Sequence, residues 1–301
     1  MTIVDGENHP RVWATLITGA NYLPGVLTLN YSLVRARSKY PLVALYTDKL
    51  DRKSLEALHK DKIATLKIEA LEPCIGELHL QIDSRFIDTW TKLYVFKSYQ
   101  FKRIVHLDSD MLVLQNMDEL MEMEMGDFKF ASTHACLCNP YRFKHYPPSW
   151  NKQACVYTYH DKHMASRFDI PKHMGPSSHL GLSKLNSGIL VVEPSVETFD
   201  MILDALQDKE KTCNYKFPDQ DLLADVFYKK WLSISYIYNC LKTFKNCHSS
   251  LWDLSQIKNI HYILSPKPWD VDRNYLDDSG TFEMWWNMND ERLRMSNSPC
   301  S

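Results

Sequence analysis

Short apolar runs alternate with amphipathic stretches along the first part of this chain. Val12 to Thr18 is continuous enough for a buried strand. A turn at Gly19-Ala20-Asn21 leads to apolar residues at Leu23, Val26, Leu27, Leu33 and Val34, a helical spacing. Leu42 to Thr47 reads as a second strand, Arg52 to Lys60 as a second helix and Ile63 to Ile68 as a third strand. This alternation predicts an α/β fold with a mainly parallel central sheet flanked by helices. Trp90 to Tyr99 reads as a helix feeding a strand over Arg103 to Leu107; Met111 to Leu114 continues extended, and Asn116 is placed to cap a helix over Asp118 to Met121. From about Thr133 to Leu185 the pattern breaks into an irregular stretch rich in His, Tyr, Pro and Cys, the kind of segment that forms binding loops. Order returns with a strand over Gly188 to Val192, helices over Ser195 to Lys209 and Asp219 to Lys229, a strand over Ile257 to Ile263 and a closing helix over Phe282 to Met295. No repeat or linker divides the 301 residues, so a single domain over 1–301 is expected.

Composition narrows the function classes. A net charge of -2 argues against general nucleic-acid binding, which needs a basic surface. No run approaches the ~18 apolar residues of a membrane span. The opening Met1 to Pro10 has neither the basic region nor the apolar core of a signal peptide, so a cytoplasmic protein is expected. The cysteines at 74, 136, 138, 155, 213, 240, 247 and 300 show no C-x-x-C pair, which is neither a zinc nor a disulfide signature. They read as mostly reduced and buried; Cys136 and Cys138 with nearby His134 lack a fourth metal ligand. Asn30-Tyr31-Ser32 is a formal sequon, set aside because it falls within a predicted helix.

Asp-x-Asp occurs at 108–110, 219–221 and 270–272. The first follows an apolar strand, at the carboxyl end where ligands gather in such sheets. Side chains alternate along extended backbone, so Asp108 and Asp110 are expected on one side, as hard oxygen ligands for a divalent cation that could hold a diphosphate. Neither a G-x-G-x-x-G nor a P-loop is present. Gly188, in Asn186-Ser187-Gly188, would let backbone approach a ligand closely.

Five patterns in order, the strand end with Thr18 and Tyr22, Asp108-Ser109-Asp110, Asn186-Ser187-Gly188, Pro218-Asp219-Gln220-Asp221, and His261 followed by Lys267-Pro268-Trp269, resemble the family 8 retaining glycosyltransferases, which include glycogenin and galactinol synthase. The resemblance covers roughly residues 12 to 295 and implies one GT-A-type domain, with a nucleotide-binding half over about 10–132 and an acceptor-binding and catalytic half over about 133–301. It implies a UDP-hexose donor and assigns Asp108, Asp110 and His261 to a metal, and Lys267 to the diphosphate. Leu16, Thr18 and Tyr22 would lie by the uridine. Asn186, Ser187, Gly188, Lys92 and, more loosely, Arg85 would face the donor, with Ser109 inside the metal motif. Asp219 and Gln220, with Asn186, would stand near the anomeric carbon. A donor set with a nitrogen ligand favours Mn²⁺ over Mg²⁺. The partners implied are a nucleotide sugar and a small-molecule or glycan acceptor, with room for a homodimer.

Local physics leaves other readings open: Asp110 or Asp118 as a helix cap, Asn186 as a turn residue, His261 as a packed core histidine, Asp219 as an N-cap, and Asp270-Val271-Asp272 as a solvated loop. Trp285 and Trp286 either pack the last helix or form part of an acceptor platform. Within the family, self-glycosylation is not expected at the usual place, because no tyrosine follows Tyr238-Asn239 through His248. A catalytically silent nucleotide-sugar-binding protein is a further alternative. Similarity to galactinol synthase is closer, carried by Ser38-Lys39-Tyr40-Pro41-Leu42-Val43, Val191-Val192-Glu193-Pro194, the run from Asp253 to Lys258, and Trp285-Trp286, although that group has Asp-Gly-Asp where this chain has Asp108-Ser109-Asp110. It implies UDP-galactose or UDP-glucose as donor and myo-inositol as a candidate acceptor.

Overall fold

The computed structural model describes residues 6–73, 89–144, 146–160 and 181–297. Strands β1 (Arg11–Ile17), β2 (Leu42–Tyr46), β3 (Ala64–Lys67) and β4 (Arg103–Leu107) pair in parallel, with α1 (Leu23–Arg35) and α2 (Arg52–Lys60) as crossovers. The α/β reading therefore holds, and β4 begins and ends as expected. The expected helix is present over Thr89–Lys97 and winds as a 3-10 helix. Trp90, Thr91, Lys92, Leu93, Val95 and Phe96 are all buried there, and its β-branched and aromatic residues are weak α-helix formers.

After β4 the chain leaves the main sheet. The strand β5 (Met111–Val113) is not an extension of β4 but an edge of a second, three-stranded sheet, in which it pairs with Asn259–His261 and that strand in turn with Cys240–Leu241. The turn at 108–110 thus joins two sheets. Next come α3 (Glu119–Glu122) and β6 (Phe130–His134), a strand that the sequence pattern did not distinguish from the irregular stretch. Asn116 Oδ1 accepts from the Asp118 N–H just before α3, whereas the Asp118 carboxylate accepts from Ser38 Oγ and the Lys39 N–H and caps nothing.

The remaining elements are β7 (Leu185–Val192), α4 (Val196–Leu206), α5 (Lys209–Thr212), α6 (Pro218–Val226), β8 (Trp231–Ser233), β9 (Cys240–Leu241), α7 (Phe244–Cys247), β10 (Asn259–His261) and α8 (Phe282–Asn297). The main sheet runs β3-β2-β1-β4-β7-β6-β8; only β7 opposes the rest, so the sheet is mostly parallel. A register shift between Ala131 and Thr133 is closed by Ser132, whose hydroxyl lies 2.9 Å from the carbonyls of Asn186 and Ile189.

Alternate strand residues feed opposite cores. Trp13, Ile17, Val105 and Leu107 join α1 and the small sheet on one face, while Val12, Ala14 and Ile104 join the 3-10 segment, α4 and α6 on the other. Helix α8 closes over α1 through a Thr28–Asn289 hydrogen bond of 3.1 Å and an Arg35–Glu291 pair of 3.0 Å. Trp285 is buried against Trp269 and Trp286, the packing alternative for that pair. The sequon residue Ser32 is buried inside α1. Among the described residues, no helix is long and apolar enough to cross a membrane.

Candidate active site

At the carboxyl end of β4 the backbone turns, and this turn, not an extended strand, brings Asp108 and Asp110 together. It packs tightly on α1, where a Cβ at Gly25 would stand 2.4 Å from the Ser109 carbonyl oxygen. Opposite lies His261, because β10 pairs with β5 in the register His261–Met111. His261 Nε2 lies 3.2 Å from Asp110 Oδ1 and 3.8 Å from Asp108 Oδ2. The outward oxygens meet lysines: Asp108 Oδ1 is 2.8 Å from Lys92 Nζ, and Asp110 Oδ2 is 2.5 Å from Lys267 Nζ. One oxygen from each carboxylate and one imidazole nitrogen therefore converge, a group whose ligand atoms lie within 4.8 Å of one another.

The imidazole is fixed in orientation. His261 Nδ1 is 2.8 Å from Asn239 Oδ1, while Asn239 Nδ2 donates to Thr133 Oγ1 at 2.9 Å and to Asn186 Oδ1 at 2.7 Å. With its NH₂ committed, Asn239 presents an acceptor, which places the proton on Nδ1 and leaves the Nε2 lone pair facing the carboxylates. Behind the ring, Gly188 makes room for the imidazole. A Cβ there would lie 2.5 Å from His261 Cε1, so the space belongs to the imidazole.

The charges are mutually stabilised. Burial alone would raise the Asp108 carboxyl, but Lys92, His106 and His261 hold it well below the usual carboxylate range; Lys267 and His261 do the same for Asp110. Burial opposes the charge on Lys92, yet Asp108 and Asp219 raise it above its ordinary value. His106 is pushed down by burial and donates from Nε2 to Asp108 across 3.2 Å.

Lys92 links this turn to a second carboxylate. Asp219 Oδ2 lies 3.1 Å from Lys92 Nζ and accepts from Ser187 Oγ at 2.6 Å. Asp219 occupies the first turn of α6 without capping it; Asp221 takes the Lys216 and Phe217 amides instead, at 3.0 and 2.9 Å. Gln220 is buried next to it, and Asn186 sits inside β7, accepting from the Gly188 N–H at 3.1 Å. Leu16 and Thr18 lie half-buried at the end of β1, and Tyr22 packs edge-on against Trp269 with ring centroids 5.9 Å apart. Arg85 lies outside the described residues. The loop at 270–272 is exposed at both aspartates, as expected.

The Glycosyl transferase family 8 model matches residues 15–272. The chain belongs to that family. Galactinol synthase 7 of Arabidopsis thaliana is 26% identical over 296 residues, covering 94% of this chain and 83% of its own. Among solved structures, the galactosyltransferase LgtC in complex with donor and acceptor sugar analogs superposes with a TM-score of 0.62 at 14% identity, covering 93% of this chain and 96% of that one. The glycosyltransferase GlyE of Streptococcus pneumoniae TIGR4 gives a TM-score of 0.60 at 16% identity; this chain spans 95% of itself and 63% of that longer chain. The fold is therefore of GT-A type, and this family 8 member is a retaining hexosyltransferase.

Three residues of this site carried no distinctive sequence signal. Asn239 and His106 hold ligand-bearing side chains in place, and their partners lie in other strands or two residues away in a turn. Lys242, beside Lys267, is brought down to about 8 by burial and by that neighbouring charge, and its ammonium lies 3.2 Å from the Pro266 carbonyl. A basic residue six positions before a histidine is too common a pattern to single out.

Proposed function

We propose that this protein transfers a hexose, with retention, from a UDP-sugar to a hydroxyl acceptor, and that one domain carries both donor and acceptor sites. The observation that carries the reading is the convergence of Asp108, Asp110 and His261 at the carboxyl end of β4, with Lys92 and Lys267 flanking it. Three carboxylates against two ammonium groups leave this buried cluster short of positive charge. Two carboxylate oxygens and a tautomer-fixed imidazole suit a divalent cation, Mn²⁺ in preference to Mg²⁺. When bound, such an ion supplies Lewis-acid neutralisation of a leaving diphosphate.

The chain's own residues account for the other tasks. Lys267 and Lys242 present ammonium groups where negative charge on a diphosphate would grow. Tyr22 with Trp269 forms an aromatic edge suited to a uracil ring, and Leu16 and Thr18 at the end of β1 are assigned to the same ring. Lys92, paired with both Asp108 and Asp219, is assigned together with Asn186 and Ser187 to the donor hexose, with Gly188 and Ser109 shaping the backbone around it. Asp219, oriented by Ser187 and Lys92, and Gln220 are assigned to stabilise positive charge at the anomeric carbon.

The similarity to galactinol synthases favours UDP-galactose as donor and myo-inositol as acceptor, in a cytoplasmic setting. The purified protein with Mn²⁺, UDP-galactose and myo-inositol is expected to release UDP and form an α-galactoside of inositol, read by NMR. UDP release with no inositol product would remove this acceptor, and a mass increase of the protein itself would favour a self-glycosylating primer.

Gly188→Ala tests the packing that holds the imidazole. Its methyl would collide with His261, so metal affinity is expected to fall ~10–100-fold with the fold retained. Calorimetric titration of Mn²⁺ checks it.

A further inference from the structure

Away from the Asp108 turn, three cysteines of the irregular stretch meet a histidine from the segment that follows β9. Cys136 and Cys138, for which the sequence offered only His134 and no fourth ligand, have two further candidate ligands in the fold. His134 is not the third ligand, since its ring packs against Trp231 with centroids 5.0 Å apart. Instead, Cys155 and His248 close on the pair, although they lie 19 and 112 residues from Cys136.

All four ligand atoms lie within 4.8 Å of one another, and all four residues are buried. His248 Nε2 is 3.4 Å from Cys136 Sγ, 3.4 Å from Cys138 Sγ and 3.5 Å from Cys155 Sγ; Cys155 Sγ is 3.9 Å from Cys136 Sγ. The imidazole cannot serve all three thiols by hydrogen bonding. An imidazole nitrogen has either one lone pair or one N–H, so it serves only one of three thiols. A tetrahedral zinc ion with ordinary Zn–S and Zn–N lengths has edges of about 3.8 Å between sulfurs and about 3.6 Å between sulfur and nitrogen. The observed edges match that tetrahedron.

We propose that Cys136, Cys138, Cys155 and His248 bind a structural zinc ion. The set is closed, with four protein ligands and no position for water or substrate, which marks a structural and not a catalytic centre. Its ligands come from three segments: the exit of β6, the approach to the 3-10 turn Val156–Tyr159, and the end of α7. Zinc would therefore clamp the irregular stretch onto the segment that follows β9, the strand pairing with His261. Tyr157 and Phe244, with ring centroids 4.8 Å apart, pack around it and exclude water. Cys247, half-buried beside His248 in the chain, is not among the four ligands.

The test is metal analysis of the full chain purified without added metal, followed by zinc-edge X-ray absorption. One zinc per chain is expected, with three sulfur neighbours and one nitrogen. The Asp108→Asn and Cys247→Ser variants should keep it, and Cys155→Ser should lose it. Asp108→Asn separates this centre from the carboxylate site, so either assignment can fail alone. Absence of stoichiometric zinc, a shell of oxygen and nitrogen only, a disulfide among these cysteines, or loss of zinc in Cys247→Ser would overturn the assignment. The absorption measurement needs no variant, so a Cys155→Ser protein that fails to fold does not weaken the test.

Discussion

Replacing Asp108 with asparagine is expected to lower kcat for hexose transfer ~10³-fold or more. Lewis-acid stabilisation of a leaving group contributes several kcal/mol, and about 4 kcal/mol corresponds to that factor. The substitution removes one of two carboxylates facing His261 Nε2 while leaving Lys92 its second partner, Asp219, at 3.1 Å. The fold should therefore survive. Asp110→Asn is expected to be as damaging to activity but harder to interpret, because buried Lys267 would lose its carboxylate partner. Breaking a buried pair by removing one member typically costs about 3–5 kcal/mol of stability. Steady-state kinetics together with thermal unfolding separate the two effects. Near-wild-type turnover in Asp108→Asn would remove the metal site from the reaction.

Asp219→Asn carries the second large effect. It keeps the side-chain shape and can still meet Ser187 Oγ, now 2.6 Å from Oδ2, but it loses the negative charge beside the proposed anomeric position. A residue acting in the transition state lowers kcat and kcat/KM together, whereas one that only binds donor raises KM. The expected result is a ~10²–10³-fold fall in kcat with donor KM little changed. Lys92 retains Asp108 at 2.8 Å, so the donor end should stay assembled. A change confined to KM would move Asp219 from the reacting centre to the binding surface.

What the sequence made legible followed from how locally each feature is determined. The β1 to β4 framework was readable because parallel strands buried on both faces appear as continuous apolar runs, and β4 was placed to the residue. Asp108 and Asp110 stood out as close neighbours at a strand end, although a turn brings them together. His261 drew attention only through family order, since its register against β5 is set by pairing across about 150 residues. Asn239 gave no signal: asparagine is common in turns, and its task depends on the simultaneous positions of Thr133, Asn186 and His261. The cysteine cluster was not legible for the same reason. Its spacing is not a local motif, and folding alone brings Cys155 and His248 to Cys136 and Cys138. Strands β6 and β8 were missed because short segments beside an irregular stretch carry little periodicity.

The most direct measurement of the central claim is calorimetric titration of UDP into the wild-type protein, once with Mn²⁺ and once with chelator, alongside Asp108→Asn. The account predicts UDP binding with Mn²⁺, little binding in chelator, and little binding by the variant under either condition. Equal UDP affinity in all these titrations would contradict a metal held by Asp108, Asp110 and His261.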